Sequence, residues 1–525
     1  MLARALPAGL PVALLALGLA LLSWRMAQSG RPHSWMLFFL ASTILGFWFY
    51  GSMRLPADPA SELLTRPPRE VTVELEIERV MQAENDYGKS TGVGRVLESS
   101  ALSRLERNSL IYFRLSKQNS AEVEIMRGLT IRVTGVARPI HGDVPPDSFE
   151  AYLRETRIYY QLGQTSHVSV LETASAFARL CHRANGEFQK FLRLGEPTGH
   201  PLSQIYIAML LGEKTQLSEE QTDRFRMTGT MHLFAISGLH IGVIATVIWQ
   251  VLLLFRLPSK VRPAIGLPLL YFYVEITGAA PSAVRAFLMV AFFWASMAVQ
   301  RQRSPLSALA ASAVFVLLIQ PLQLWQMGFQ LSYLVVVSIL MFGLPLREWL
   351  WPQLRPNKFL PEADWSPYRK ARYWLTDKFL LLFAISLSAW LASAPLSAGF
   401  FGFIASYAVL VNILLVNLAA LVISGGVIAL AIASLGLEGL AAFFNHAAWV
   451  GISLMDAIVR LNVQLPWATV ACPEFPTPVS YLGVLAYIAA IFLLANRGRP
   501  LIRFTLPPVI VLLTLATGLW LAGGE

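Results

Sequence analysis

Apolar runs of roughly bilayer length recur along this chain, separated by short basic turns and interrupted once by a long polar stretch. A transmembrane helix needs ~20 predominantly apolar residues. Runs near that length lie at 6–24, 35–52, 233–255, 263–278, 283–299, 306–320, 323–343, 379–396, 478–495 and 504–521. Region 404–436 has no charged residue over 33 positions. It is long for one upright span and reads as a tight hairpin or a broken pair. The pattern predicts a polytopic α-helical membrane protein of about 10–12 transmembrane helices. The first run could pass for a signal peptide, but Arg4 is the only basic residue before it and a second apolar run follows at once. Residues 1–55 are therefore read as two retained spans.

The polar stretch 66–171 changes the period. Val71-Thr72-Val73-Glu74-Leu75-Glu76-Ile77 alternates, as a half-buried strand does. Segments 110–115, 129–136, 158–162 and 167–171 are the other strand candidates, and Phe149–Glu155 reads as a short helix. About five strands and one helix predict an inserted external all-β domain of OB-like type. Such a barrel serves equally as a nucleic-acid module or as a spacer. Residues 172–192 follow as an amphipathic interfacial helix. A helical pair spans 201–230, its second member opened by a Ser218/Gln221 capping box. Segment 438–462, with polar His446, Asp456 and Arg460, reads as another helix on the outer surface.

Composition confirms the membrane class: the 525 residues are 55% hydrophobic and 14% charged, against about 25% charged in soluble chains. The net charge of +10 is weak support for nucleic-acid binding, because region 66–171 holds 14 basic and 14 acidic residues. The excess sits in short loops around Arg25, Arg256, Arg301, Arg369 and Arg497, while the intervening loops carry none. That is the positive-inside pattern, and it places the β domain and the C-terminus on the outer side of the membrane. The two cysteines, Cys181 and Cys472, are too few for a metal cage; both fall on the outer side, where one disulfide is allowed. No phosphate-binding loop, cofactor motif or internal repeat is visible.

Polar groups at membrane depth are the candidates for chemistry, since a bilayer core offers no water to solvate them. His232, Ser237 and His240 open the run that ends at Phe255, beside Gly238 and Gly242, which fit a helix break or a close packing of backbones. The two histidines, two helical turns apart, could share one face. They read as a hydrogen-bonded pair lining a cavity, as plain packing, or as a metal site, though no H-E-x-x-H or accompanying Cys or Glu supports the last. Ser237-Gly238 resembles the G-x-S-G of rhomboid-type intramembrane proteases, with Ala235 in the first glycine's place. Glu275 and Arg285, on neighbouring spans, read as a salt bridge or as a path in which Arg285 meets an anion. Gln330, Ser332 and Asn412 read as helix glue or as conduit lining.

Leu211-Gly212-Glu213, Phe225-Arg226, Gly229-Thr230, His232-Leu233 and Ala235-Ile236-Ser237-Gly238-Leu239-His240 together resemble the core motif of the ComEC-type competence family. Asp147–Leu153, Pro281–Ala286 and Gly328–Ser332 are similar to further family patterns. The resemblance implies a competence membrane domain at about 197–496, followed by a final transmembrane helix in 500–525. It also implies passage of single-stranded DNA across the inner membrane, with a separate nuclease, a DNA receptor and a cytoplasmic ATPase as partners beside the lipid bilayer. By this resemblance His232, Ser237, His240, Glu275, Arg285, Gln330, Ser332 and Asn412 would line the DNA path. Larger members add a metallo-β-lactamase-like domain; no H-x-H-x-D-H occurs here, so this chain is expected not to be a nuclease by that route. The rival classes are an intramembrane serine hydrolase and a transporter of another anion.

Overall fold

A computed structural model describes residues 15, 17–23, 32–54, 67–82, 89–99, 105–116, 124–140, 148–196, 202–213, 218–298, 304–356, 365–495 and 499–523. Two compact units emerge, residues 1–66 with 314–326, and residues 67–313 with 327–525. In the first, helix α1 (Pro32–Arg54) packs on the 3-10 turn Pro321–Trp325, and the Tyr50 hydroxyl donates to the Leu318 carbonyl.

The second unit opens with a closed five-stranded barrel in the order β1-β2-β3-β5-β4, the OB-like arrangement expected. Strand β1 (Arg69–Gln82) buries Val71, Val73, Leu75 and Ile77 and turns Thr72, Glu74 and Glu76 outward, so alternation alone defines its faces. Strand β2 (Lys89–Ser99) escapes the sequence pattern because Gly92 and Gly94 stand where side chains would alternate. A Cβ on Gly92 would lie 2.6 Å from the Phe113 ring, so the barrel interior itself demands the glycine. After β3 (Leu110–Ser116) and β4 (Thr130–Pro139) comes α2 (Phe149–Glu155), capped by Ser148. The two strands expected at 158–162 and 167–171 are one, β5 (Ile158–Glu172), bent where Gln164 takes φ 49°. Its first half closes the barrel by pairing parallel to β3, and its length pairs antiparallel to β4.

Helix α3 (Ala176–Leu192) is the expected amphipathic helix and leads into α4 (Leu202–Leu211), which is buried on nearly every side. Then come α5 (Glu219–Met227), α6 (Gly238–Leu254), α7 (Val261–Ile276), α8 (Pro281–Ala298) and α9 (Pro305–Ile319). Helix α10 (Met327–Leu354) carries a π-turn at Ile339–Gly343, and α11 (Pro367–Phe401) is 35 residues long. The chain ends through β6 (Phe403–Ala405), α12 (Ala408–Ser434), α13 (Glu438–Val463), β7 (Thr469–Ala471), α14 (Thr477–Leu494) and α15 (Pro500–Ala522).

Among the described residues seven helices are long and apolar enough to cross a bilayer: the Met231–Leu254 stretch containing α6, and α10 to α15. Helices α7, α8 and α9 reach only about 22–27 Å at 1.5 Å per residue, short of the ~30 Å hydrocarbon core. The uncharged region 404–436 is neither a hairpin nor a broken pair. It is the short β6 followed by one 27-residue helix, α12. Its partner is α13, which the sequence placed on the surface. Of the polar residues behind that reading, His446 and Arg460 are exposed but Asp456 is buried, and so are Asn445 and Asn462 on the same helix. The α12–α13 hairpin leaves and returns at one point, because β6 and β7 pair antiparallel from Phe403↔Ala471 to Ala405↔Thr469. Cys181 and Cys472 are both free and buried, so no disulfide joins them.

Candidate functional site

The chain reaches α6 through a buried stretch that is not α-helical. Thr228 and Thr230, both buried, share a 2.7 Å hydroxyl–hydroxyl hydrogen bond, and both hydroxyls lie within hydrogen-bond distance of the Phe225 carbonyl, to which the other proton is donated. A 3-10 turn, Met231–Leu233, follows. Phe234 then packs edge-on against Phe225 at 4.6 Å. Ile236 seats on Gly212, whose φ of +78° suits glycine, and its carbonyl accepts from the Ser282 hydroxyl at 2.6 Å. The motif residues of 211–240 and 281–286 thus meet in space, with Ile236 seated on Gly212 and its carbonyl bonded by Ser282.

Ser237 is the N-cap of α6. Its Oγ accepts from the Leu239 N–H at 3.3 Å and contacts His240 Nδ1 at 3.1 Å, while the Ser237 N–H donates to that same nitrogen at 3.4 Å. His240 therefore plays the part that Glu or Gln takes in a capping box. An accepting Nδ1 leaves the proton on Nε2. That atom is buried and has no hydrogen-bond partner among the described residues. His232 does not share a helical face with His240, because the chain between them is a 3-10 turn and a loop. It is exposed, its Nδ1 3.1 Å from the Gly229 carbonyl. Among the described residues no cluster of three or more His, Cys, Asp or Glu could hold a metal ion.

Glu275 and Arg285 do not pair. Glu275, in the last turn of α7, meets Arg127 of the barrel at 2.8 Å, whereas Arg285 points across α8 to α10. Only 4% of Arg285 is exposed, and it donates to the Gly328 carbonyl at 2.8 Å, at the opening turn of α10. Tyr333, one turn further along α10, hydrogen-bonds Ser312 at 3.3 Å. On the same helix Gln330 accepts from the Tyr481 hydroxyl at 3.3 Å, and Ser332 is half-buried. Asn412 stands apart on α12 with Oδ1 buried and without a hydrogen-bond partner among the described residues. Gly238 starts α6 as a break would, but neither it nor Gly242 is a close-packing glycine. A Cβ at either would meet nothing within 4 Å, because both border open space.

Two groups of residues went unassigned in the sequence. Asp456 on α13, 6% exposed, binds Arg460 Nε at 2.8 Å and lies 3.9 Å from Arg224 on α5. An aspartate inside an apolar 26-residue run was the available signal. On the barrel, Phe149 and Tyr152 stack at 6.0 Å, Tyr112 meets Phe149 edge-on at 5.2 Å, and the Arg114 guanidinium lies 5.5 Å from the Tyr112 ring. Phe149 and Tyr152 are both exposed, as an aromatic pair three residues apart on a short helix would be.

A bundle of bilayer-length helices, an OB-like barrel and a buried cation at the opening turn of a helix define a multi-pass membrane protein. The chain belongs to the family described as "Competence protein", whose sequence model matches residues 209–500. It is similar to ComE operon protein 3 of Bacillus subtilis, 28% identical over 218 residues, covering 41% of this chain and 27% of that protein. It is similar to Recombination protein 2 of Haemophilus influenzae, 26% identical over 216 residues, covering 39% and 27%. A third relative is the uncharacterized protein YcaI of Escherichia coli, 28% identical over 162 residues, covering 29% and 22%. The chain spans about a quarter of the length of these curated relatives. No solved structure matches it.

Proposed function

We propose that this protein passes single-stranded DNA across the bacterial plasma membrane during natural transformation. In this reading residues 66–171 form a barrel domain on the outer side, where the C-terminus also lies, and 197–496 form the conduit. Family membership supports the cargo. The observation that carries the conduit is Arg285, a fixed cation buried beside the non-helical entry to α6 and held by the first turn of α10. Irregular backbone at membrane depth is tolerated where it is buried in protein or lines a cavity, and a buried arginine suits a phosphate. Arg285, His240, Ser237 and Gln330 shape the path, with His232 at its exposed rim. On the barrel, Tyr112, Phe149 and Tyr152 with Arg114 supply a stacking step for bases. A separate nuclease and a DNA receptor deliver the strand, and a cytoplasmic ATPase or the membrane potential drives it.

The test is cytoplasmic uptake of labelled single-stranded DNA in a deletion strain complemented with wild type, Arg285→Ala or His240→Ala, with membrane insertion checked for each. Uptake collapses in the deletion and falls at least tenfold in both inserted variants. Unchanged uptake throughout would overturn the reading and leave another anion as cargo.

The 3.1 Å approach of Ser237 Oγ to His240 Nδ1 favours one second reading, an intramembrane serine hydrolase. Labelling by a fluorophosphonate that disappears in Ser237→Ala would establish it. The capping geometry, in which both Ser237 Oγ and His240 Nδ1 already accept backbone N–H groups, favours the conduit.

A further inference from the structure

A second site opens among the same helices, from Gly242 towards the end of α6. Helices α6, α8, α9 and α10 leave between them an apolar cleft of about 480 Å³. That volume falls among small-molecule sites of ~300–1,000 Å³ and suffices for one long acyl chain. Trp249, Met289, Phe293, Met297 and Leu309 line it, and Leu340 enters from the π-turn of α10, which widens that wall. Gly242 lines it as well and leaves the space that its missing side chain would take. Thr246 brings the one hydroxyl among the lining residues, is exposed, and spends that hydroxyl on the Gly242 carbonyl of its own helix at 2.8 Å. The cleft therefore offers a ligand apolar surface and almost no hydrogen bonds.

Its mouth is different. Trp249 lies near the end of α6, where the chain enters the basic turn that holds Arg256, Lys260 and Arg262. The Arg262 guanidinium stands 5.1 Å from the Trp249 ring centre, and its Nε donates to the Leu257 carbonyl at 2.8 Å. That bond fixes the guanidinium plane. The two terminal nitrogens make no ion pair with any described residue. Arg256 and Lys260 are exposed beside it. An apolar slot at membrane depth that ends under a positioned guanidinium is amphipathic in the sense that a phospholipid is.

We propose that this cleft binds one anionic phospholipid, with an acyl chain between α6, α8 and α10 and the phosphate on Arg262. Charge complementarity selects the anionic headgroup, and the apolar lining selects the chain. Neither half depends on the cargo that the protein moves.

Native mass spectrometry of the delipidated full chain in detergent tests the site. The probes are dioleoylphosphatidylglycerol, dioleoylglycerol, which lacks the phosphate, and glycerol 3-phosphate, which lacks the chains. Phosphatidylglycerol occupies one site, and the other two probes bind at least tenfold more weakly. Arg262→Gln weakens phosphatidylglycerol about tenfold, the worth of a charge-assisted contact. Thr246→Phe, at the exposed lining position, fills the slot and abolishes occupancy, with the lipid-free thermal midpoint as the folding check. Should Thr246→Phe not fold, Arg262→Gln decides alone. Glycerol 3-phosphate binding as tightly as the lipid would reduce the site to a phosphate contact and overturn the proposal. So would equal binding of dioleoylglycerol, or full retention of phosphatidylglycerol in the folded variants.

Discussion

Asn445 is fully buried on α13, where its amide donates to the Phe191 and Leu194 carbonyls at 2.8 and 3.2 Å and its oxygen accepts from Tyr206 at 3.3 Å. The Phe191 carbonyl, in the last turn of α3, also accepts from the Leu194 N–H at 3.2 Å, whereas the Leu194 carbonyl lies just past the helix. Replacing Asn445 by Leu keeps the volume but removes the Asn445 bonds to the Leu194 carbonyl and the buried Tyr206 hydroxyl, so the protein loses ~1–3 kcal/mol. The loss is read as a lower thermal midpoint in detergent. Cys181, on the same α3, tests the electrostatics of the barrel seam. Burial, and then the carboxylate of Glu275, push its thiol up from its ordinary pKa, against an opposing pull from Arg127. A raised pKa keeps the group protonated at neutral pH, so alkylation by iodoacetamide is slow at pH 7 and accelerates only as pH rises. Glu275→Gln removes one of the two upward causes, so the acceleration begins at lower pH. Local chemistry of this kind was readable from sequence only where partners are neighbours. The Ser218/Gln221 capping box is present with both of its bonds, whereas the partner of Glu275 lies 148 residues away and no pattern of spacing points to it.

Helices gave up their identity to periodicity when they were flanked by turns and lost it when they were not. Segments near 477–494 and 500–522 stand where the hydropathy placed them, bounded by Pro and basic residues. The uncharged stretch around α12 offered no such punctuation, so one helix was read as two halves. Gly426 receives α4: a Cβ there would stand 2.9 Å from the Tyr206 hydroxyl and closer still to Leu210. Gly426→Val should thus force two buried side chains off their rotamers and cost ~1–3 kcal/mol. Gly425→Ala beside it meets only ordinary contacts and serves as the control. Comparing expression and thermal midpoints of the two variants separates packing from helix propensity. Strand β2 was missed for the converse reason, because glycines demanded by the barrel interior erased the alternation that strands are recognised by.

At the scale of the whole second unit, the barrel is tied to the helical part by charges. Arg127 meets Glu275 on α7, and Glu124 meets His182 on α3 at 2.7 Å. These groups are partly exposed, so each pair is worth about 0–1 kcal/mol and weakens with salt. Arg127→Glu should loosen the seam, seen as faster proteolysis at the barrel boundary. Adding Glu275→Arg should restore it, giving a coupling of about 0.5–1 kcal/mol in a double-mutant cycle. Composition announced the membrane class and the period-two alternation announced the β domain, but neither showed this seam.

The short ladder between β6 and β7 has a mechanical meaning. It pinches the chain at Ala405 and Thr469, and the Thr469 hydroxyl adds a 2.6 Å bond to the Met227 carbonyl at the end of α5. The α12–α13 hairpin is thereby a rod pinned at its neck. Any rocking leaves the neck almost still and sweeps the tip around Gly436 farthest, so the bonds of Asn445 and Asp456, which lie between neck and tip, would be broken in order of their distance from the pivot.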